Sequence, residues 1–128
     1  MTGYYGQIEE LTLENENFRK VLFTGKHTQL VLMCLKVGEE IGAEVHDHVD
    51  QFFRIEAGEG KVIIDDNEYV VKDGDAVIVP AGSNHNVINT STTESLKLYT
   101  LYSPANHPEG TIHVTKAEAD EAEAHEHH

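Results

Sequence analysis

Short apolar and aromatic runs, each ended by glycine, proline or acidic turn residues, follow one another through most of this chain, and no long helical period interrupts them. Phe18 to Phe23, Thr28 to Val37, Gln51 to Glu56, Lys61 to Asp65, Tyr69 to Val71, Ala76 to Val79 and Ser95 to Tyr102 are rich in β-branched or aromatic residues. Gly25, Gly38, Gly58, Gly60, Asp73-Gly74 and Ala81-Gly82 separate them, and Asp65-Asp66-Asn67-Glu68 reads as a hairpin turn. Many short strands at regular spacing predict an all-β sandwich or barrel. A chain of 128 residues has the size of one domain and can bury a core without disulfides. The expected division is an N-terminal arm over 1–17, a β-barrel over 18–114 and an acidic, helical, histidine-rich tail over 115–128.

Two segments predict what lies around the barrel. Thr28 to Val37 is apolar on both parities in its first half, so both of its faces should be covered, by the N-terminal arm or by a second subunit. A homodimer is the corresponding expectation. The one cysteine, Cys34, falls in this run and should pack as a small hydrophobe. Thr115-Lys116-Ala117-Glu118 has capping-box spacing before an alanine-rich stretch, which predicts a short surface helix fraying into His125-Glu126-His127-His128, a tail able to bind adventitious metal.

Charge and composition narrow the partners. A formal net charge of −14 repels phosphate backbones and anionic lipid, so neither nucleic acid nor a membrane is expected as a partner, and a small-molecule substrate is. The N-terminal residues Met1 to Gly6 carry neither the basic start nor the apolar stretch of a secretory signal, and a cytoplasmic location is expected.

The chemistry-bearing residues are His46, His48 and Gln51 in one segment and His85 in another. Neutral imidazole is a good ligand for first-row divalent metals, and a carboxamide oxygen can complete a mixed nitrogen and oxygen set. On an uninterrupted strand His46, His48 and Asp50 share one face while Gln51 points away, so a turn or bulge decides between Gln51 and Asp50 as a ligand. His27, His107 and His113 have no partner at ligand spacing and read as structural.

These residues fall into two motifs that resemble those of the cupin family, G-x5-H-x-H-x3/4-E-x6-G and G-x5-P-x-G-x2-H-x3-N. Gly74, Pro80, Gly82, His85 and Asn89 match the second in full, while His46, His48 and Gly58 match the first, with Gln51 at the place of its glutamate. The first motif departs in detail: glycines stand at 38 and 42 rather than six residues before His46, and only Val49 and Asp50 separate His48 from Gln51. The resemblance covers roughly Phe18 to Tyr102 and is to a small single-domain cupin, a double-stranded β-helix or jelly-roll barrel. The His107-Pro108-Glu109-Gly110-Thr111 segment resembles one found in small bacterial mannose-6-phosphate isomerase-like cupins.

What the resemblance implies is a divalent metal (Zn, Mn, Fe or Ni) held by His46, His48, Gln51 and His85, acting as a Lewis acid on a small hydroxy-carbonyl, sugar or carboxylate substrate in isomerase or lyase chemistry. A glutamine in place of glutamate leaves a neutral ligand set and an uncompensated double charge on the ion. By proximity to the motifs, Glu44, Tyr99 and Tyr102 are the candidate acid–base groups and Arg54 a candidate anion clamp; Glu44 shares strand parity with His46. Two other readings remain open: an Fe(II)-type dioxygenase, and a non-catalytic small-molecule binding or sensing module. A pocket filled by Phe52, Phe53 or Tyr99 would favour a scaffold.

Overall fold

A computed structural model describes residues 2–126 and shows two antiparallel β-sheets packed face to face, with one helix at each end of the chain. The elements in order are α1 (Ile8–Glu14), β1 (Arg19–Thr24), β2 (Gln29–Leu35), β3 (Glu44–Val45), β4 (Asp50–Ala57), β5 (Glu59–Ile64), β6 (Asn67–Lys72), β7 (Ala76–Val79), β8 (Asn84–Asn89), β9 (Leu96–Ser103), β10 (Ile112–His113) and α2 (Lys116–Glu126). One sheet has the order β10-β1-β2-β9-β4-β7 and the other β3-β8-β5-β6. His127 and His128 of the tail lie outside the described residues.

Alternation along the strands builds the core. On β9, Leu96, Leu98, Thr100 and Tyr102 are buried while Lys97, Tyr99 and Leu101 are only partly so; on β4, Gln51, Phe53 and Ile55 face inward and Phe52 and Arg54 do not. Val31, Met33, Leu35, Phe53, Ile55, Leu96 and Leu98 from the larger sheet meet Val62, Val71 and Val87 from the smaller one in a single cluster.

β2 is buried on both faces, as its sequence predicts: Leu32 and Cys34, on the side away from the core, are 2% and 1% exposed. The cover is the N-terminal arm, whose helix α1 packs on β9, β4 and β2. The Lys97 ammonium ties the same arm down by donating to the carbonyl oxygen of Leu13 and pairing with Glu16.

At the other end, Thr115 caps α2: its Oγ1 accepts from the Glu118 amide at 3.1 Å. The surface helix expected from composition is anchored more firmly than alanine content alone implies. Ala119 is 1% exposed within the core cluster, and β10 pairs with β1 through Arg19 opposite His113. Among the described residues no helix is long and apolar enough to cross a membrane.

Two glycines separate conformational strain from lack of space. Gly58 has φ +87°, and a Cβ there would lie 2.5 Å from the Ser95 carbonyl oxygen; Gly74 has φ +93° with open space around it. Gly74→Ala should cost about 1 kcal/mol, the strain of the left-handed conformation. Gly58→Ala should cost distinctly more, because backbone must also move; urea denaturation of both variants beside the parent chain checks the order.

Candidate metal centre in the barrel interior

The larger sheet contributes a polar row to an otherwise apolar wall. Register places Tyr102 opposite both Gln29 on β2 and Gln51 on β4, so these three side chains share the inner face across adjacent strands. All are buried, at 0%, 3% and 3% exposure for Gln29, Tyr102 and Gln51. From the smaller sheet, Glu44 on β3 pairs in register with His85 on β8 and faces the same interior.

His46 follows directly after β3, and its ring comes to 5.3 Å from that of His85 and 6.1 Å from that of Tyr102. Glu44 Oε2 lies 3.3 Å from His46 Nε2. His85 also borders a small pocket of about 140 Å³ with Ala43, Ile63, Asp65, Asn84 and Asn86.

The hydrogen bonds leave specific atoms open. His85 Nδ1 is 3.3 Å from the Ser83 carbonyl oxygen, which can only accept, so Nδ1 carries the proton and Nε2 keeps its lone pair. Burial lowers the His85 pKa and favours the neutral form in which that lone pair can ligate. Gln51 Nε2 donates to Thr100 Oγ1 at 3.1 Å, while Gln51 Oε1 is buried with no hydrogen-bond partner. An unsatisfied buried oxygen costs about 1–3 kcal/mol.

The expected ligands divide. His46, Gln51 and His85 face one interior, and the turn between β3 and β4 is what turns Gln51 inward, settling the parity question. His48 sits in that turn and is exposed, because β3 ends at Val45 and the chain no longer alternates as a strand. Asp50 is exposed too, its Oδ1 accepting from the Ala81 amide at 2.8 Å. Among the described residues no grouping of three or more His, Cys, Asp or Glu side chains is arranged to hold a metal ion; a centre here has to draw on the Gln51 carboxamide.

The acid–base candidates divide likewise. Glu44 and Tyr102 border the histidines. Tyr99 and Arg54 sit on the outer parity of β9 and β4, where the Tyr99 ring lies 6.2 Å from that of Phe52 and Arg54 pairs with Glu56 at 3.4 Å. Arg54 is therefore not placed as an anion clamp for the interior. Phe52 is outside as well; Phe53 is inside, fully buried, its ring 6.3 Å from that of His85.

Sequence reasoning missed a second set of polar groups. His107 and His113, read as structural for want of neighbours in the chain, have neighbours in space. His107 Nε2 is 3.2 Å from the Tyr102 hydroxyl, with the rings edge to face at 5.1 Å. Gln29 holds that histidine by its backbone, donating to the His107 carbonyl oxygen and accepting from the Asn106 and His107 amides. Arg19 Nη1 lies 3.2 Å from His113 Nδ1. The available signal was polar residues at inward parity in apolar strands, namely Arg19 with Val21, Gln29 with Val31, and Thr100 with Leu98.

Burial raises the Tyr102 pKa strongly, so its hydroxyl stays protonated. His107 is pushed down to about 3 by burial first, then by the Arg19 charge. Native His107 thus stays neutral through the mildly acidic range, whereas the unfolded chain protonates it below about pH 6.5. The folded state loses stability as pH falls from about 6.5 toward 3, by at most about 1.4 kcal/mol per pH unit from this group. His107→Gln should flatten that slope, which denaturant midpoints between pH 7 and 4 would measure.

Comparison with known proteins places this geometry. A cupin domain (Cupin_2) matches residues 31–102. The uncharacterized protein YrkC of Bacillus subtilis is 51% identical over 122 residues, covering 91% of this chain and 65% of its own length, so this chain spans under two thirds of that relative. The uncharacterized protein L612 of Acanthamoeba polyphaga mimivirus is 43% identical over 119 residues, with 91% of this chain and 74% of that protein covered. The crystal structure of BH2720 from Bacillus halodurans superposes with a TM-score of 0.91 at 43% identity, covering 94% of this chain and 95% of that one. The two-motif barrel and its inward-facing donors belong together: this chain is a member of the cupin family.

Proposed function

We propose that the barrel interior binds one divalent metal ion and that the protein is an enzyme acting on a small hydroxy-carbonyl, sugar or carboxylate substrate, in isomerase or lyase chemistry. The observation that carries the reading is the buried Gln51 Oε1, without a hydrogen-bond partner, facing from the larger sheet the same interior as the two imidazoles of the smaller one. His46, His85 and Gln51 would hold the ion. When bound, the ion supplies Lewis-acid polarisation of a chelated substrate oxygen.

The rest of the chemistry would fall to side chains that border the histidines. Glu44, 20% exposed at its side chain and 3.3 Å from His46 Nε2, would accept the proton. Tyr102, kept protonated by burial, is the proton donor, and its hydroxyl has His107 Nε2 as a second partner at 3.2 Å. Phe53 and the apolar layer beneath it keep water from the far side of the site. The likeness to mannose-6-phosphate isomerase-like cupins supports the isomerase class only by fold kinship. A cytoplasmic homodimer acting on a small molecule is part of the proposal, and since α1 already covers the outer face of β2, pairing would use another surface.

Elemental analysis tests the metal. With His125, His127 and His128 replaced by alanine, the protein should retain about one equivalent of metal per chain, and His85→Ala in that background should lose it. An alanine-tailed protein that takes up no metal overturns the reading. Oxygen consumption by the reconstituted protein with a chelating substrate would move the assignment from Lewis-acid to dioxygenase chemistry.

A further inference from the structure

Thr100 is fully buried in an apolar wall where a valine would fill the same space. It stands opposite Val31 on β2 and Phe53 on β4, and the fully buried residues of its size around the same core are Val31, Val62 and Val87. A buried hydroxyl is costly unless it is hydrogen-bonded. The Thr100 hydroxyl accepts from Gln51 Nε2 at 3.1 Å. Gln51 pairs in register with Tyr102, so this is a diagonal contact between β4 and β9, of the kind that a long side chain can reach.

The two ends of a carboxamide are alike in shape and opposite in chemistry, since the nitrogen only donates and the oxygen only accepts. With Nε2 held on Thr100, the oxygen is the end left over, buried and without a hydrogen-bond partner. Tyr102 gives the same orientation: burial raises its pKa and a hydrogen bond from Gln51 opposes the rise, as an N–H beside a phenol does. Ring contacts place the imidazoles around this side chain. Tyr102, opposite Gln51, lies 6.1 Å from His46, and Phe53, next along the same inner face, lies 6.3 Å from His85. An amide oxygen there can ligate a divalent ion, and an amide nitrogen, which offers only donors, cannot.

We infer that Thr100 is a positioning residue, whose hydroxyl holds the Gln51 amide nitrogen so that the carboxamide presents its oxygen, and not its nitrogen, to the space beside His46 and His85. This rests on the reading of the interior as a metal site, and it names the residue on which the neutral ligand of that site depends. A glutamate at the same place would need no such partner, because both ends of a carboxylate are oxygen. The competing account is that the bond merely satisfies a buried donor. A merely structural bond moves stability; a positioning bond moves metal affinity, and only while residue 51 is an amide.

Calorimetric titration with Zn²⁺ tests this in the protein whose His125, His127 and His128 are replaced by alanine, with the melting temperature of the metal-free protein read beside it. Thr100→Val should weaken Zn²⁺ binding about tenfold or more, and Thr100→Ser, which keeps the hydroxyl, should bind nearly as the parent does. In a Gln51→Glu background, Thr100→Val should leave Zn²⁺ affinity unchanged. Zn²⁺ should also shift the NMR signal of the Gln51 carboxamide carbon while its N–H protons stay protected from exchange, and this measurement carries the test if Thr100→Val does not fold. Parent-like Zn²⁺ affinity in Thr100→Val, an equal loss in the Gln51→Glu background, or loss of the N–H protection on Zn²⁺ binding overturns the inference. The parent protein separates the two readings: no Zn²⁺ uptake removes the metal and this inference together, whereas uptake that His85→Ala abolishes and Thr100→Val leaves intact keeps the metal and removes only the role of Thr100.

Discussion

Strand β9 hydrogen-bonds to β2 on one side and to β4 on the other, and the candidate site depends on that double pairing. Its register puts Tyr102 between Gln29 and Gln51, and Thr100 between Val31 and Phe53, so a polar row crosses three strands at one level of an apolar wall. A slip of β9 by one residue would send Tyr102 to the outer face and bring Tyr99 in, and a slip of β4 would exchange Gln51 for Arg54. The apolar residues immediately below, Leu98, Ile55 and Met33, oppose such a slip, because it would move them out of the core. Packing in one half of the barrel therefore sets the chemistry of the other half.

Satisfaction of the buried polar groups is uneven, and the unevenness is informative. Gln29 is fully used: its amide donates to Thr24 and the His107 carbonyl, and its oxygen accepts two backbone amides, which fixes the segment after β9 against the barrel. Asn89 is used in the same way, bonding the carbonyls of Leu35 and Glu94 and the Ser91 amide. Gln51 and Arg19 each leave a buried atom without a partner. Buried polar groups in folded proteins are paired with few exceptions; Gln51 lies at inward parity beside the candidate ligands, whereas Arg54 Nε, a third such atom, lies on the outer parity of β4.

Electrostatics separates inside from outside. The acidic exterior disfavours anions at long range, whereas the interior combines a guanidinium, neutral imidazoles and a protonated phenol, all hydrogen-bond donors or metal ligands. The low dielectric of the barrel strengthens each contact within that lining.

Local pattern was enough for several features. Alternation and turn residues announced an all-β fold, double-sided apolarity of Thr28 to Val37 announced a cover on β2, and the Thr115 spacing announced the cap of α2. The spacing of the motifs singled out His46, His48, Gln51 and His85, of which His48 is exposed. Each of these is written in neighbours a few residues apart, where steric alternation and capping act. Tertiary structure alone decided the rest: that β3 stops at Val45 and exposes His48, that the following turn brings Gln51 inward and leaves Asp50 capping Ala81, that Tyr99 and Arg54 face out, that His107 closes on Tyr102, and that Arg19 meets His113 from the opposite end of the chain. Those outcomes depend on strand register and on contacts between residues about 75 to 95 positions apart, and no local periodicity records them.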